Sequence, residues 1–217
     1  MKRNKFSLSN YKLATMKMGE LVPIGLIEVL PGDTFQHSTS ALVRATPLLA
    51  PVMHPLHVRI HHFFVPHRLV WEDWEDFITG GEDGADASTF PTIDVSSAAV
   101  GSLADYLGVP PGVTSLSVSA LPFRGYALIW NEFYRDQQLE TALTIDLTDG
   151  ADSTTNTTLQ NCAWEKDRFT SARTSPQLGT AVSLPLGTEA PIFGDNMDFD
   201  GNPDSDNFAQ VRDAPGS

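Results

Sequence analysis

The chain has 217 residues, enough to bury a substantial core, and 41% of them are hydrophobic, a fraction compatible with a folded domain. One cysteine, Cys162, excludes an intrachain disulfide framework and a multi-cysteine zinc site. No apolar run reaches the ~18 residues of a membrane span, and the basic N-terminus lacks the apolar stretch of a secretory signal, so neither membrane insertion nor Sec export is expected.

The net charge of -13 is unevenly placed: residues 1–70 carry eight Lys/Arg and three Asp/Glu, whereas residues 71–217 carry six and twenty-four. Residues 1–18 form a basic arm with Lys2, Arg3, Lys5, Lys12 and Lys17, and Phe6, Leu8, Tyr11 and Leu13 lie among the charges. Residues 20–30 are an apolar, β-branched run interrupted by Pro23 and Gly25, followed by a Pro31-Gly32-Asp33 turn. Residues 34–46 alternate loosely and are expected to form another strand.

Residues 51–81 are the densest stretch, with five of the six histidines and two of the four tryptophans. Val58, Ile60, Phe63, Phe64 and Val65 between Pro55 and Pro66 predict a strand, with His57, Arg59, His61, Phe63 and Val65 on one face and His62 and Phe64 on the other. Beyond Pro66, the spacing of Trp71, Trp74, Phe77 and Ile78 predicts a short helix with one apolar stripe, stopped at Gly80-Gly81. Residues 82–120 and 148–160 read as loop-rich insertions, the first containing a Ser102-x-x-Asp105 capping pattern before a helix at Leu103–Leu107. Residues 122–138 give the strongest helical signal, because Phe123, Tyr126, Ala127, Trp130, Phe133 and Tyr134 recur at three and four. Trp71, Trp74, Phe77, Phe123, Trp130 and Phe133 are therefore the expected core anchors. Residues 139–147 and 181–186 read as strands. The domain body is taken as 19–187, and residues 188–217, with seven acids and one base, as a poorly ordered tail.

Two groups of residues raise the question of a metal. On a strand, His57 and His61 lie roughly 13 Å apart, too far to share one ion at the ~2.0–2.2 Å of a metal bond. The segment also lacks the glutamate of H-E-x-x-H. In the tail, Asn196, Asp198, Asp200, Gly201 and Asp204 match positions one, three, five, six and nine of a calcium loop, but Asn207 stands where the bidentate acid belongs. Neither group predicts a firm metal site, and no cofactor is expected. Cys162 reads as a bystander, and Arg124, Arg135 and Asp136 as members of interface or internal ion pairs. A cupin-like metal-binding sandwich enzyme would need a converging histidine pair with a carboxylate. A carbohydrate-binding β-sandwich would need Trp71, Trp74 or Trp130 exposed as a sugar platform.

Three blocks carry a resemblance. Residues 20–81, from ELVPIGLIEVL to DFITGG, and residues 121–139, LPFRGYALIWNEFYRDQQL, resemble the major capsid proteins of the Microviridae, the small single-stranded DNA phages, and most closely the gokushovirus-like branch. Residues 165–179, EKDRFTSARTSPQLG, resemble a third hallmark, although Arg173-Thr174-Ser175-Pro176 replaces the family's aromatic and proline. The resemblance implies a mainly β fold, the incomplete N-terminal portion of a viral jelly-roll β-sandwich with short helices in the inter-strand loops. It implies a structural, non-enzymatic subunit of a small T=1 icosahedral shell, found in the virion and assembled in the bacterial host cytoplasm. Its partners would be further copies of itself, single-stranded DNA, internal viral proteins and, through the particle, the host-cell surface. On this analogy Lys2, Arg3, Lys5, Lys12 and Lys17 face DNA phosphates or an internal protein, and His57, Arg59, His61 and His62 lie at a subunit contact. It also implies that these residues alone leave sheet edges unpaired and are prone to aggregate.

Overall fold

The computed structural model describes residues 4–173, 179–180, 189–192 and 209–212. The chain divides into two units, Met1–Ala172 and Arg173–Ser217. The helix read at 122–138 organises the first unit. Helix α3 spans Leu121–Ile129, with Pro122 in the first turn, where a missing N–H breaks no helical bond. Apart from the buried Arg124, the helix is apolar around its girth, as suits a core helix. Phe123 and Tyr126 pack with Ile93, Val95, Leu103 and Ala104, while Leu121 and Leu128 meet Val70 and Trp71.

The helix does not run on to residue 138. Residues Trp130–Tyr134 form a π-type turn, closed by the Arg135 N–H donating 2.9 Å to the Trp130 carbonyl five residues back. One extra residue per turn rotates everything after it out of the α-helical register. Trp130 remains buried, but Phe133, expected as a core anchor, is 67% exposed.

Strands β1 (Thr92–Asp94), β2 (Ser117–Ser119) and β3 (Ala151–Asp152) form a small sheet in the order β2-β1-β3. β1 is antiparallel to β2, with Ile93 opposite Val118, and parallel to β3, with Ile93 opposite Asp152. The sheet therefore arises within the stretches read as insertions, and their Ile93, Val95 and Leu103 are buried. Helix α2 is Leu103–Tyr106, capped by the Ser102 hydroxyl accepting the Asp105 N–H. The Asp105 carboxylate accepts the Gly101 N–H at 2.8 Å, so the return bond reaches one residue further out than in a capping box.

A 3-10 turn at His67–Leu69 leads to α1, Trp74–Thr79, which ends on Gly80 at φ 89° with its N–H donating 2.7 Å to the Asp76 carbonyl. The expected stripe is only partly internal: Trp71 is fully buried, Trp74 is half-buried and Phe77 is 39% exposed. The correction for Phe77 has a simple cause. Six residues make less than two turns, and the rings cover one another instead, Trp71 lying 4.9 Å from Phe77 and 5.5 Å from Phe90 between centroids.

The strands expected at 20–30, 34–46, 56–65 and 139–147 form no ladder among the described residues. The single bridge in these runs joins Glu20 to Asn161. An alternating run becomes a strand only where another backbone pairs with it. The short sheet and helices agree only with the mainly β class that the resemblance implies.

In the second unit, β4 (Glu189–Ile192) pairs antiparallel with β5 (Ala209–Arg212), Glu189 opposite Arg212 and Ile192 opposite Ala209. Asn196, Asp198, Asp200 and Asp204, and the strand expected at 181–186, lie outside the described residues.

Candidate interaction surface

An ionic centre fixes the frame on which the surface is built. Arg124, on α3, has its side chain wholly buried beside the equally buried Asp152 carboxylate of β3, at 2.9 Å. Its other nitrogens donate 3.0 Å to the Val70 and Thr148 carbonyls. Asp152 also accepts the Thr155 hydroxyl at 2.6 Å and the Thr154 and Thr155 amides. Burial by itself raises the pKa of this carboxyl, but the bonds from Thr155, Arg124 and Thr154 outweigh it and hold the pKa below the ordinary value. A helix, the 147–155 loop and the Trp71 turn are thereby locked together.

Two further polar ties shape the rim. The Tyr126 hydroxyl donates 2.9 Å to the Leu21 carbonyl and accepts the Gln160 N–H at 2.9 Å, and burial pushes its pKa up to about 12. Asn131 mimics a strand residue: its amide donates to the Leu143 carbonyl at 3.0 Å and its oxygen accepts the Leu143 N–H at 2.8 Å. This is how the 139–147 run is held without a ladder.

Against this frame lies the histidine-rich stretch. His61 stacks on Tyr134 with centroids 5.8 Å apart and hydrogen-bonds its hydroxyl, while Phe63 packs 4.9 Å from Phe133. His62 turns elsewhere and meets the edge of His37 at 4.2 Å. Arg59 pairs with Glu165, and His57 is exposed. The structure therefore joins His61 to the aromatic patch around Tyr134 but does not gather His57, Arg59, His61 and His62 into one centre. No cluster of three or more His, Cys, Asp or Glu suited to a metal occurs among the described residues. Below Phe63, the side chains of Phe64, Val65, Leu69, Leu128, Ile129 and Phe133 line an open apolar groove. Sequence reasoning missed this groove, because it follows from the π-type turn that swings Phe133 outward.

The basic arm is partly committed to the body. Lys12 donates to the Tyr106 carbonyl and, at 3.2 Å, to the Pro23 carbonyl, and the Tyr106 hydroxyl donates back to the Thr15 carbonyl. Burial lowers the Lys12 pKa, with Asp105 opposing. Lys17 pairs with Glu20 at 3.7 Å, Lys5 is exposed, and Lys2 and Arg3 lie outside the described residues. Cys162 is half-buried, and burial pushes its thiol pKa up, away from reactivity. No helix among the described residues is long and apolar enough to cross a membrane.

The described residues thus combine a small β core and short helices with a lysine-bearing arm and many exposed apolar side chains. Residues 1–214 match the family model described as "Capsid protein (F protein)", and the chain belongs to that phage capsid family. It is 40% identical over 195 residues to the capsid protein VP1 of Bdellovibrio phage phiMH2K, covering 88% of this chain and 36% of that protein. It is 32% identical over 220 residues to the capsid protein VP1 of Spiroplasma virus 4, covering 93% of this chain and 40% of the relative. Chlamydia phage 1 has a capsid protein VP1 that is 40% identical over 155 residues, 67% of this chain and 26% of the relative. The chain thus spans less than half the length of each of these relatives.

Proposed function

We propose that the chain is a structural, non-enzymatic part of a major capsid protein that assembles with copies of itself into a small icosahedral shell enclosing single-stranded DNA. Its place is the virion, and assembly takes place in the bacterial host cytoplasm. The observation that carries this reading is the family match over 1–214, together with relatives named capsid protein VP1. The exposed extended runs support the finer picture of a jelly-roll sandwich. Ile24, Leu26, Val29 and Val58 all lie at the surface with unpaired backbone around them, as strands awaiting a partner would. His61 and the Phe63–Phe133 groove are then covered at a contact. By the same family analogy His57, Arg59 and His62 are assigned to a subunit contact, although in this chain His62 meets His37 and Arg59 pairs with Glu165.

The arm is the part proposed to meet DNA or an internal viral protein. Replacing Lys2, Arg3, Lys5, Lys12 and Lys17 by glutamine is expected to lower DNA content per particle and to flatten the salt dependence of DNA binding, as loss of phosphate contacts requires. Nuclease-protection and salt-titration assays read both. Because Lys12 also holds the arm to Tyr106, Lys12→Gln alone is expected to free the arm as well as remove a charge. DNA content and salt slope both unchanged in the five-fold variant would remove the arm from the account.

A further inference from the structure

We propose that residues 163–170, beside the root of the basic arm, form a stacking platform for single-stranded nucleic acid, with Trp164 and Phe169 as its base-stacking surfaces and Arg168 as a phosphate contact. The proposal rests on the reading that the chain encloses DNA, and it assigns that role to a second segment with different chemistry. Trp164 is 86% and Phe169 85% exposed, although aromatic rings of this size ordinarily bury most of their surface. The segment that presents them is firmly tied. The Ala163 N–H donates 2.8 Å to the Tyr134 carbonyl, Glu165 pairs with Arg59, and Lys166 pairs with Asp136. Asp167 builds the turn between the two rings by accepting the Phe169 and Thr170 amides at 2.7 and 2.8 Å. Two aromatic rings in water on a pinned backbone make a preorganised binding surface, since little ordering entropy is left to lose.

Charge selects the occupant. The acids of this corner are committed, Glu165 and Asp136 to cations and Asp167 to backbone amides, while Arg168 enters no ion pair among the described residues. The segment itself is electroneutral, Lys166 and Arg168 against Glu165 and Asp167, so the positive charge that suits a polyanion beside these rings comes from the arm, which carries five Lys/Arg and no acid over residues 1–18. The Glu20–Asn161 bridge, with Leu21 N–H on the Gln160 carbonyl and Cys162 N–H on the Gly19 carbonyl, sets the arm and the 163–170 segment side by side where they leave the body. The arm carries its own exposed Phe6 and Tyr11 next to Lys5 and Lys12. Stacking needs unpaired bases, so the platform prefers a single strand to a duplex and reads little sequence.

The test uses the full chain with a fluorescent oligothymidylate. Trp164→Ala and Phe169→Ala are each expected to weaken binding roughly tenfold, with the salt slope unchanged. The five-fold arm variant should instead reduce the slope. Trp71 and Trp130 are buried and Trp74 half-buried, so oligothymidylate should quench mainly Trp164, and that quenching should vanish in Trp164→Ala. Unchanged affinity in both ring variants, or equal competition by duplex DNA, overturns the platform, and an altered arm slope in the same experiment leaves the arm standing. Ring variants that change the oligomeric state but not oligonucleotide binding also overturn it, and assign the rings to a contact with a second copy.

Discussion

Arg124→Met is expected to destabilise the first unit by about 3–5 kcal/mol, because it strands the buried Asp152 carboxylate without its cation. Against a typical total of about 5–15 kcal/mol, that is a large share of the stability. Urea denaturation followed by circular dichroism measures it. Part of the loss comes from the Val70 and Thr148 carbonyls, which Arg124 also satisfies and which would be left unpaired. A double replacement, Arg124→Met with Asp152→Leu, should recover only part of the loss, since Asp152 also caps the 152–155 turn. The same pair sets an acid limit. The folded Asp152 pKa lies below its unfolded value of about 3.9, so its contribution is complete above that value and is lost as pH falls through the lower folded pKa. Urea midpoints should therefore show no Asp152-dependent change between pH 7 and pH 5 and decline below about pH 4. Asp152→Asn should flatten that decline.

Trp71→Ala is expected to cost about 3–5 kcal/mol, the range for truncating a large buried aromatic ring. The ring closes a layer with Phe77 and Phe90 and meets Val70 and Leu121, so nothing nearby can collapse into the space. Trp71→Phe should cost far less. It keeps an aromatic ring and loses no hydrogen bond, because the indole N–H has no acceptor among the described residues. By contrast, Phe133→Ala should stay within about 0.5 kcal/mol in the isolated chain, as expected for an exposed position. Equal losses at Trp71 and Phe133 would show that both rings are buried after all.

These contrasts show what the sequence carried and where it stopped. Helix α3 was legible because proline at its start and apolar residues at three and four describe a buried helix locally. Its end was not, because a π-type turn leaves no compositional trace, and Phe133 went from core to surface with it. α2 and the Gly80 stop were legible for the same local reason. The sheet was hidden because its strands are two or three residues long, and β1 finds β2 and β3 across long loops. The Arg124–Asp152 pair joins residues 28 positions apart, yet a signal existed. Arg124 interrupts the Leu121–Leu128 face of an otherwise apolar helix, and a cation there needs a buried partner. The runs at 20–46 and 56–65 have strand composition, but composition cannot supply the second backbone that a ladder requires. The strand reading already set His61 and His62 on opposite faces, and the structure gives them different partners, Tyr134 and His37, but without the ladder that reading assumed.

The most direct test is sedimentation of the tagged chain produced from its complete reading frame in bacteria, followed by nuclease treatment and electron microscopy of the fractions. The account predicts that the chain travels with closed particles of uniform diameter whose single-stranded DNA resists added nuclease. A chain that stays at the top of the gradient, or pellets without protected DNA, would contradict it.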